Sequence, residues 1–228
     1  KNVLLQDSII AESLWHSIDP QGPRGNAIFV GETARDIRFV TNLLAANNDR
    51  NIRWKYDTHG EMINNVIFGW GGTSSWNTTN ITDQDNYDIA TYLDVIGNVY
   101  QAGSDGLSSA YAVYSENTPS GSRVFLSDNK ASNLTNLDST YRVSSRILTG
   151  PTPISSTNTY EYVLSNAGSR PWDRSPDDLR VIAGVRDKTL RLRDKVGTWP
   201  SIVENHRVVT VSTDPISETD LDAALIYF

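Results

Sequence analysis

Met62-Ile63-Asn64-Asn65-Val66-Ile67 is an apolar pair, a polar bend and a second apolar pair. The pattern returns at Val3-Leu4-Leu5-Gln6-Asp7-Ser8-Ile9-Ile10, at Arg38-Phe39-Val40-Thr41-Asn42-Leu43-Leu44 and at Leu93-Asp94-Val95-Ile96-Gly97-Asn98-Val99-Tyr100, with a weaker copy at Val124-Phe125-Leu126-Ser127-Asp128-Asn129. Its polar positions Asp7, Asn42, Asn65, Asn98 and Asn129 are 35, 23, 33 and 31 residues apart. A constant strand core with a variable step suits stacked rungs whose insertions emerge as loops on one side. An Asn at each bend can take a left-handed backbone conformation and stack its amide on the Asn of the next rung. The expected fold is all-β: a right-handed parallel β-helix with a short helical C-terminal tail. A β-sandwich, whose strands also recur at regular intervals with Asn in turns, is the alternative.

The 228 residues are enough for one large domain or two small ones with a buried core. With no cysteine, a disulfide framework, a thiolate metal site and a cysteine nucleophile are excluded, but secretion is not. No apolar run reaches the length of a membrane-spanning helix, and the first ten residues lack the pattern of a signal peptide. A net charge of −7 makes nucleic acid or an anionic membrane a poor partner, so any polyanionic ligand needs a local basic cluster or a bridging cation. Residues 35–55 supply such a cluster, with Arg35, Arg38, Arg50, Arg53 and Lys55 against only Asp36 and Asp49.

The end of the chain changes character. Tyr160 to Ala167 reads as a short helix stopped by Gly168. Ser175 offers an N-cap before Pro176, Asp177 and Asp178, so a second helix is expected from about Pro176 to Lys188. The expected organisation is rungs with loop insertions over 1–143, a Ser-, Thr- and Pro-rich junction over 144–158, and a tail over 159–228 whose two short helices pack on the rungs.

Ala46-Asn47-Asn48-Asp49-Arg50-Asn51-Ile52-Arg53, continuing to Asn64-Asn65-Val66-Ile67, resembles the "N-x-x-R-N-P-R" and "N-N-V" segments of a large bacterial group of pectate lyases, with Ile52 in place of the proline. Leu14-Trp15-His16-Ser17 is similar to the group's "H-S-K" segment. Ala167-Gly168-Ser169-Arg170-Pro171-Trp172-Asp173-Arg174 resembles its "A-G-A-R-P-W-D-R-D" signature, and Val196-Gly197-Thr198-Trp199-Pro200 its "V-G-G-W-P". The likeness is strongest over 1–72 and 160–200.

The resemblance implies a secreted polysaccharide lyase that cleaves polygalacturonate by β-elimination, usually with Ca2+. In that chemistry a base takes the proton at C5, α to the C6 carboxylate, while cations neutralise the charge that builds there. Arg50 matches the family's catalytic arginine, and Lys55 its carboxylate-binding residue five positions on. Arg53 lies between them, and His16 and Arg24 are further candidate substrate contacts. An arginine base needs strong pressure toward its neutral form from nearby cations. The bland reading of Arg50 and Arg53 is a pair closing a loop on Asp49 or Asp57.

The family's calcium-binding carboxylates come from strands upstream of Val3–Ile10, so the metal ligands are not identifiable here, and the lysine expected after His16-Ser17 is replaced by Ile18 and Asp19. The chain therefore looks like the C-terminal part of a longer or nicked lyase, and a second chain or N-terminal fragment is expected to complete the β-helix.

Weaker candidates are His59 beside the basic segment, Trp54, Trp70 and Trp76 as sugar-stacking residues, and Asp83, Asp85 and Asp88, read first as a solvated loop. The competing functional readings are a non-catalytic β-helix that binds carbohydrate or builds a surface fibre, and a lyase acting on another uronate polymer.

Overall fold

The computed structural model describes residues 2–16, 25–71, 79–82, 87–104 and 111–195. The chain passes from β1 (Val3–Gln6) to β2 (Ile9–Ala11), β3 (Leu14–His16) and β4 (Phe29–Val30), and then begins again. The next turn contains β5 (Ile37–Val40), β6 (Leu43–Ala45) and β7 (Arg53–Trp54), and the third contains β8 (His59–Ile63), β9 (Val66–Phe68) and β10 (Thr79–Thr82). After β11 (Tyr92–Ile96), β12 (Val99–Gln101) and β13 (Val113–Glu116), the path closes with β14 (Arg123–Ser127) and β15 (Arg142–Val143). Strands pair with their counterparts one turn on, always in parallel. The first sheet runs β1-β5-β8-β11-β14-β15, the second β2-β6-β9-β12 and the third β4-β7-β10-β13. A two-stranded sheet joins β3 to β16 (Arg193–Lys195). The protein is thus mostly β with parallel sheets, and the antiparallel pairing of a sandwich is absent among the described residues.

Side chains alternate across each strand, so one set faces a core shared by all three sheets. Phe39, Met62 and Val95 from the first sheet meet Leu44, Ile67 and Tyr100 from the second and Trp54 and Ile81 from the third. Gly60 leaves room for the Trp54 indole, since a Cβ there would lie 2.3 Å from the ring. The opposite faces of the sheets have different covers. On the second sheet, outward Leu43, Ala45, Val66 and Phe68 are covered by Val163, Leu164, Val181, Ile182 and Val185 of helices α1 (Ser156–Asn166) and α2 (Pro176–Arg186). On the first sheet, Glu61 is fully buried between Arg38 at 2.7 Å and Arg146 at 2.6 Å, and buried Asp94 accepts the N–H groups of Ile147 and Leu148. This ionic cluster fastens the segment after β15 across the sheet.

The helices begin where local chemistry permits. Ser175 accepts from the Asp178 N–H, Pro176 occupies the first turn, and α2 ends at Arg186, two residues short of the expected Lys188. α1 starts at Ser156 rather than near Tyr160, capped by Ser155, because Asp128 accepts both the N–H and the hydroxyl of Ser156. It stops before Gly168, whose φ of 102° a side chain would resist.

The bend between the first and second sheets carries the expected amide stack, with a one-residue correction. Asn42 Nδ2 donates to Asn65 Oδ1 at 3.0 Å, Asn65 Nδ2 to Asn98 Oδ1 at 2.9 Å, and Asn98 Nδ2 to Asn129 Oδ1 at 3.0 Å. In the first turn the matching position is Ser8, not Asp7, because the Ser8 N–H donates to Asn42 Oδ1. Nor do the stacked asparagines carry the left-handed backbone. The residue before each does so: Asp7, Thr41, Asn64, Gly97 and Asp128, with φ between 49° and 68°. That turn sends the next side chain inward to the stack.

Candidate functional site

The connection from β6 to β7 brings Arg50, Arg53 and Lys55 to the third sheet. Arg53 and Lys55 lie two residues apart in extended chain, so both point away from the core that Trp54 enters, about 7 Å apart along the strand. Backbone pairing fixes both, with Arg53 N–H on the Ile28 carbonyl and Lys55 N–H on that of Val30. Arg50 precedes them with φ 57°, and its guanidinium lies over the Phe29 ring, 5.6 Å from the centroid. Phe29 is the register partner of Arg53, so the ring under Arg50 belongs to the residue paired beside Arg53. Arg50 Nε is buried and meets no acceptor among the described residues.

The carboxylates divide differently from the loop-closing reading. Asp49 accepts the Arg50 backbone N–H at 2.6 Å, while Asp57 pairs with Arg35 rather than with Arg50 or Arg53. Burial pushes the Asp49 carboxyl above its ordinary range, opposed by that N–H and by the charges of Arg50 and Arg53. Lys55 Nζ stands 3.7 Å from Glu32 and 5.5 Å from the centroid of Tyr56. Arg53 and Lys55 are 7% and 4% exposed, so a ligand reaching them must displace a neighbour. Tyr56 in turn stacks on Tyr87 from the next turn, with centroids 4.9 Å apart.

His59 borders the same bend at the start of β8, edge-on to Tyr92 at 4.7 Å. Burial, and then the charge of Arg35, hold its pKa below the usual 6.5 against Asp57 and Asp36. His16 ends β3 in the first turn, where it is the register partner of Lys195 in β16. Arg24 lies outside the described residues, as do Trp76, Asp83 and Asp85. Two tryptophans are corrected: Trp54 is 0% and Trp70 4% exposed, both packed in the core and closed to a sugar. Asp88 accepts from the Ser120 backbone and hydroxyl and ties two loops together.

Calcium does not fit the described residues. No group of three or more Asp, Glu or His side chains converges, and the carboxylates nearest the cluster are each engaged by Lys55, Arg35 or a backbone N–H. A cavity of about 610 Å³ lies elsewhere, between the Gln6–Ile9 bend and Tyr162, Trp172 and Asp178, and no cationic side chain among the described residues lines it. Sequence reading missed Glu32, Tyr56 and Tyr87. Tyr56 directly follows Lys55 and was within reach of it, but Glu32 and Tyr87 carry no motif and join the site only through stacking of turns. The amino-acid sequence matches no protein-family model and no curated protein.

Proposed function

We propose that the chain is a right-handed parallel β-helix and a polysaccharide lyase acting on polygalacturonate by β-elimination. The observation that carries this reading is the convergence of Arg50, Arg53 and Lys55 on the outward side of one strand and its approach, in a protein whose net charge is −7. Such a cluster suits a substrate that bears one carboxylate per sugar. In the proposed reaction Arg50 takes the C5 proton, Arg53 and Lys55 neutralise the carboxylate that gains charge as the C–H bond breaks, and the C4–O bond then cleaves as the C4=C5 double bond forms, the departing glycosidic oxygen taking a proton from solvent. The buried, unpartnered Nε of Arg50 supports a role toward a ligand.

Secretion and a Ca2+ requirement belong to the proposal through the family resemblance. The metal would be held by residues other than those described, and no step is assigned to it. A second chain or an N-terminal segment is proposed to pair with the outer edges of β1 and β2. Those edges carry no strand among the described residues, and Val3 and Leu4 stand 50% and 55% exposed beside them.

The deep burial of Arg53 and Lys55 favours a second reading, a non-catalytic carbohydrate-binding or structural module. Ultraviolet absorbance of the unsaturated uronide product, followed on polygalacturonate with calcium and then with chelator, separates the two. The lyase reading expects a rising, chelator-sensitive signal in the native chain that Arg50→Ala abolishes while polymer binding persists. A flat trace from folded protein leaves the binding module.

A further inference from the structure

We propose that Lys55, Tyr56 and Tyr87 form an acidic-sugar subsite in which Glu32 holds the place of the substrate carboxylate. The inference rests on the polyuronate reading and extends it to residues outside the arginine motif. Its first element is the asymmetry of the Lys55–Glu32 pair. The lysine side chain is 5% exposed and fixed beneath its neighbours, whereas the glutamate is 37% exposed and reaches it at 3.7 Å. An ion pair of that length with one solvent-accessible partner is readily exchanged for another carboxylate.

The second element is the aromatic surface beside it. Tyr56 and Tyr87 stack at 4.9 Å with their planes 28° apart, and Tyr87 is 54% exposed. Lys55 Nζ lies against the Tyr56 ring, so charge and ring form one surface. The tyrosines come from consecutive turns locked by two bonds: the Asp57 N–H on the Ile89 carbonyl at 3.1 Å and Thr91 Oγ1 on the Lys55 carbonyl at 3.1 Å. The surface is therefore built before any ligand arrives. A hexuronate pyranose has an apolar C–H face and a carboxylate at its rim. In the proposed subsite that face rests on the exposed side of Tyr87, the rim carboxylate reaches past the Tyr56–Tyr87 stack to Lys55, and there it displaces Glu32. Among the described residues at this bend, Arg35 is engaged by Asp57 and Asp88 by Ser120.

The test is calorimetric binding of a galacturonate hexamer to the full chain, read apart from turnover. Glu32→Gln is expected to tighten binding several-fold by removing the competitor. Tyr87→Ala is expected to weaken it about tenfold, and Tyr87→Phe to retain it, since the ring and not the hydroxyl does the stacking. Unchanged affinity in both Glu32→Gln and Tyr87→Ala overturns the subsite while leaving the polyuronate reading intact. If the native chain binds the hexamer without cleaving it, the lyase reading falls and the tyrosine effect still decides the subsite. If it binds no hexamer, both fall. Should Tyr87→Ala fail to fold, Glu32→Gln alone decides.

Discussion

The bend between the first and second sheets and the bend between the third and first are stacked by the same backbone path, yet their side chains follow opposite rules. At the first, Asn42, Asn65, Asn98 and Asn129 repeat one contact, each amide passing a hydrogen bond to the next turn. At the second the charged and aromatic side chains change from turn to turn: Glu32 and Arg35 are followed by Lys55, Tyr56 and Asp57, and then by Tyr87 and Asp88. Buried polar groups must all be satisfied, and a ladder of identical amides does this without depending on loop length. A bend partly open to water has no such constraint, so its residues are free to recognise something. Repetition marks the scaffold, and departure from it marks the candidate site.

Four substitutions break or sharpen that contrast. Asn65→Ala, at the middle of the ladder, removes the acceptor of both the Asn42 N–H and its side-chain amide. Leaving these buried donors unmet is expected to cost about 3 kcal/mol in urea unfolding, and a cost under about 1 kcal/mol would show that the ladder is dispensable. Gly60→Ala comes next. Its Cβ would strike Trp54, so a loss of about 1–3 kcal/mol is expected by the same measurement.

Asp128 tests the end of the ladder that holds α1. Hydrogen bonds from the Ser156 N–H and hydroxyl hold its pKa below the ordinary 3.8. Its contribution is therefore present above 3.8 and lost as pH falls through the lower, folded-state value. Asp128→Asn is expected to flatten that acid-side loss in unfolding midpoints taken from about pH 6 down to about pH 2. Asp94 acts in the opposite sense, since burial raises its pKa above 3.8: its contribution is complete below 3.8 and declines as pH climbs through the raised value. The smallest effect is expected at the other bend, where Tyr87→Ala changes stability by less than about 1 kcal/mol because the ring is half in water. A larger loss would place Tyr87 with the scaffold.

The strands of the first two sheets were legible because each turn rewrites the same local pattern, and the amide stack because asparagine recurs at its bends, whereas the short strands of the third sheet share no such repeat. The register of the first turn was not. Asp7 looks like a ladder residue, but it takes the left-handed position and passes the stacking role to Ser8, a distinction set by backbone pairing. The arginine motif was legible as six consecutive residues. Its neighbours were not, because Glu32 and Tyr87 lie 23 and 32 positions from Lys55 and meet it only when turns stack. The Arg38–Glu61–Arg146 cluster was hidden for the same reason, its members being separated by 23 and 85 positions.

The amino-acid sequence alone determined the alternation of short strands, the polar bends, the caps of α2 and the linear cluster of basic residues. All of these act within a few residues, through backbone preference, side-chain period and charge. Tertiary structure alone decided which turns lie side by side. It therefore decided that Trp54 is core rather than platform, that Glu61 lies buried between two arginines, and that Tyr56 and Tyr87 form one surface beside Lys55. In a parallel stack, variable loops separate residues that pairing makes adjacent, so sequence distance carries little information about contact across turns.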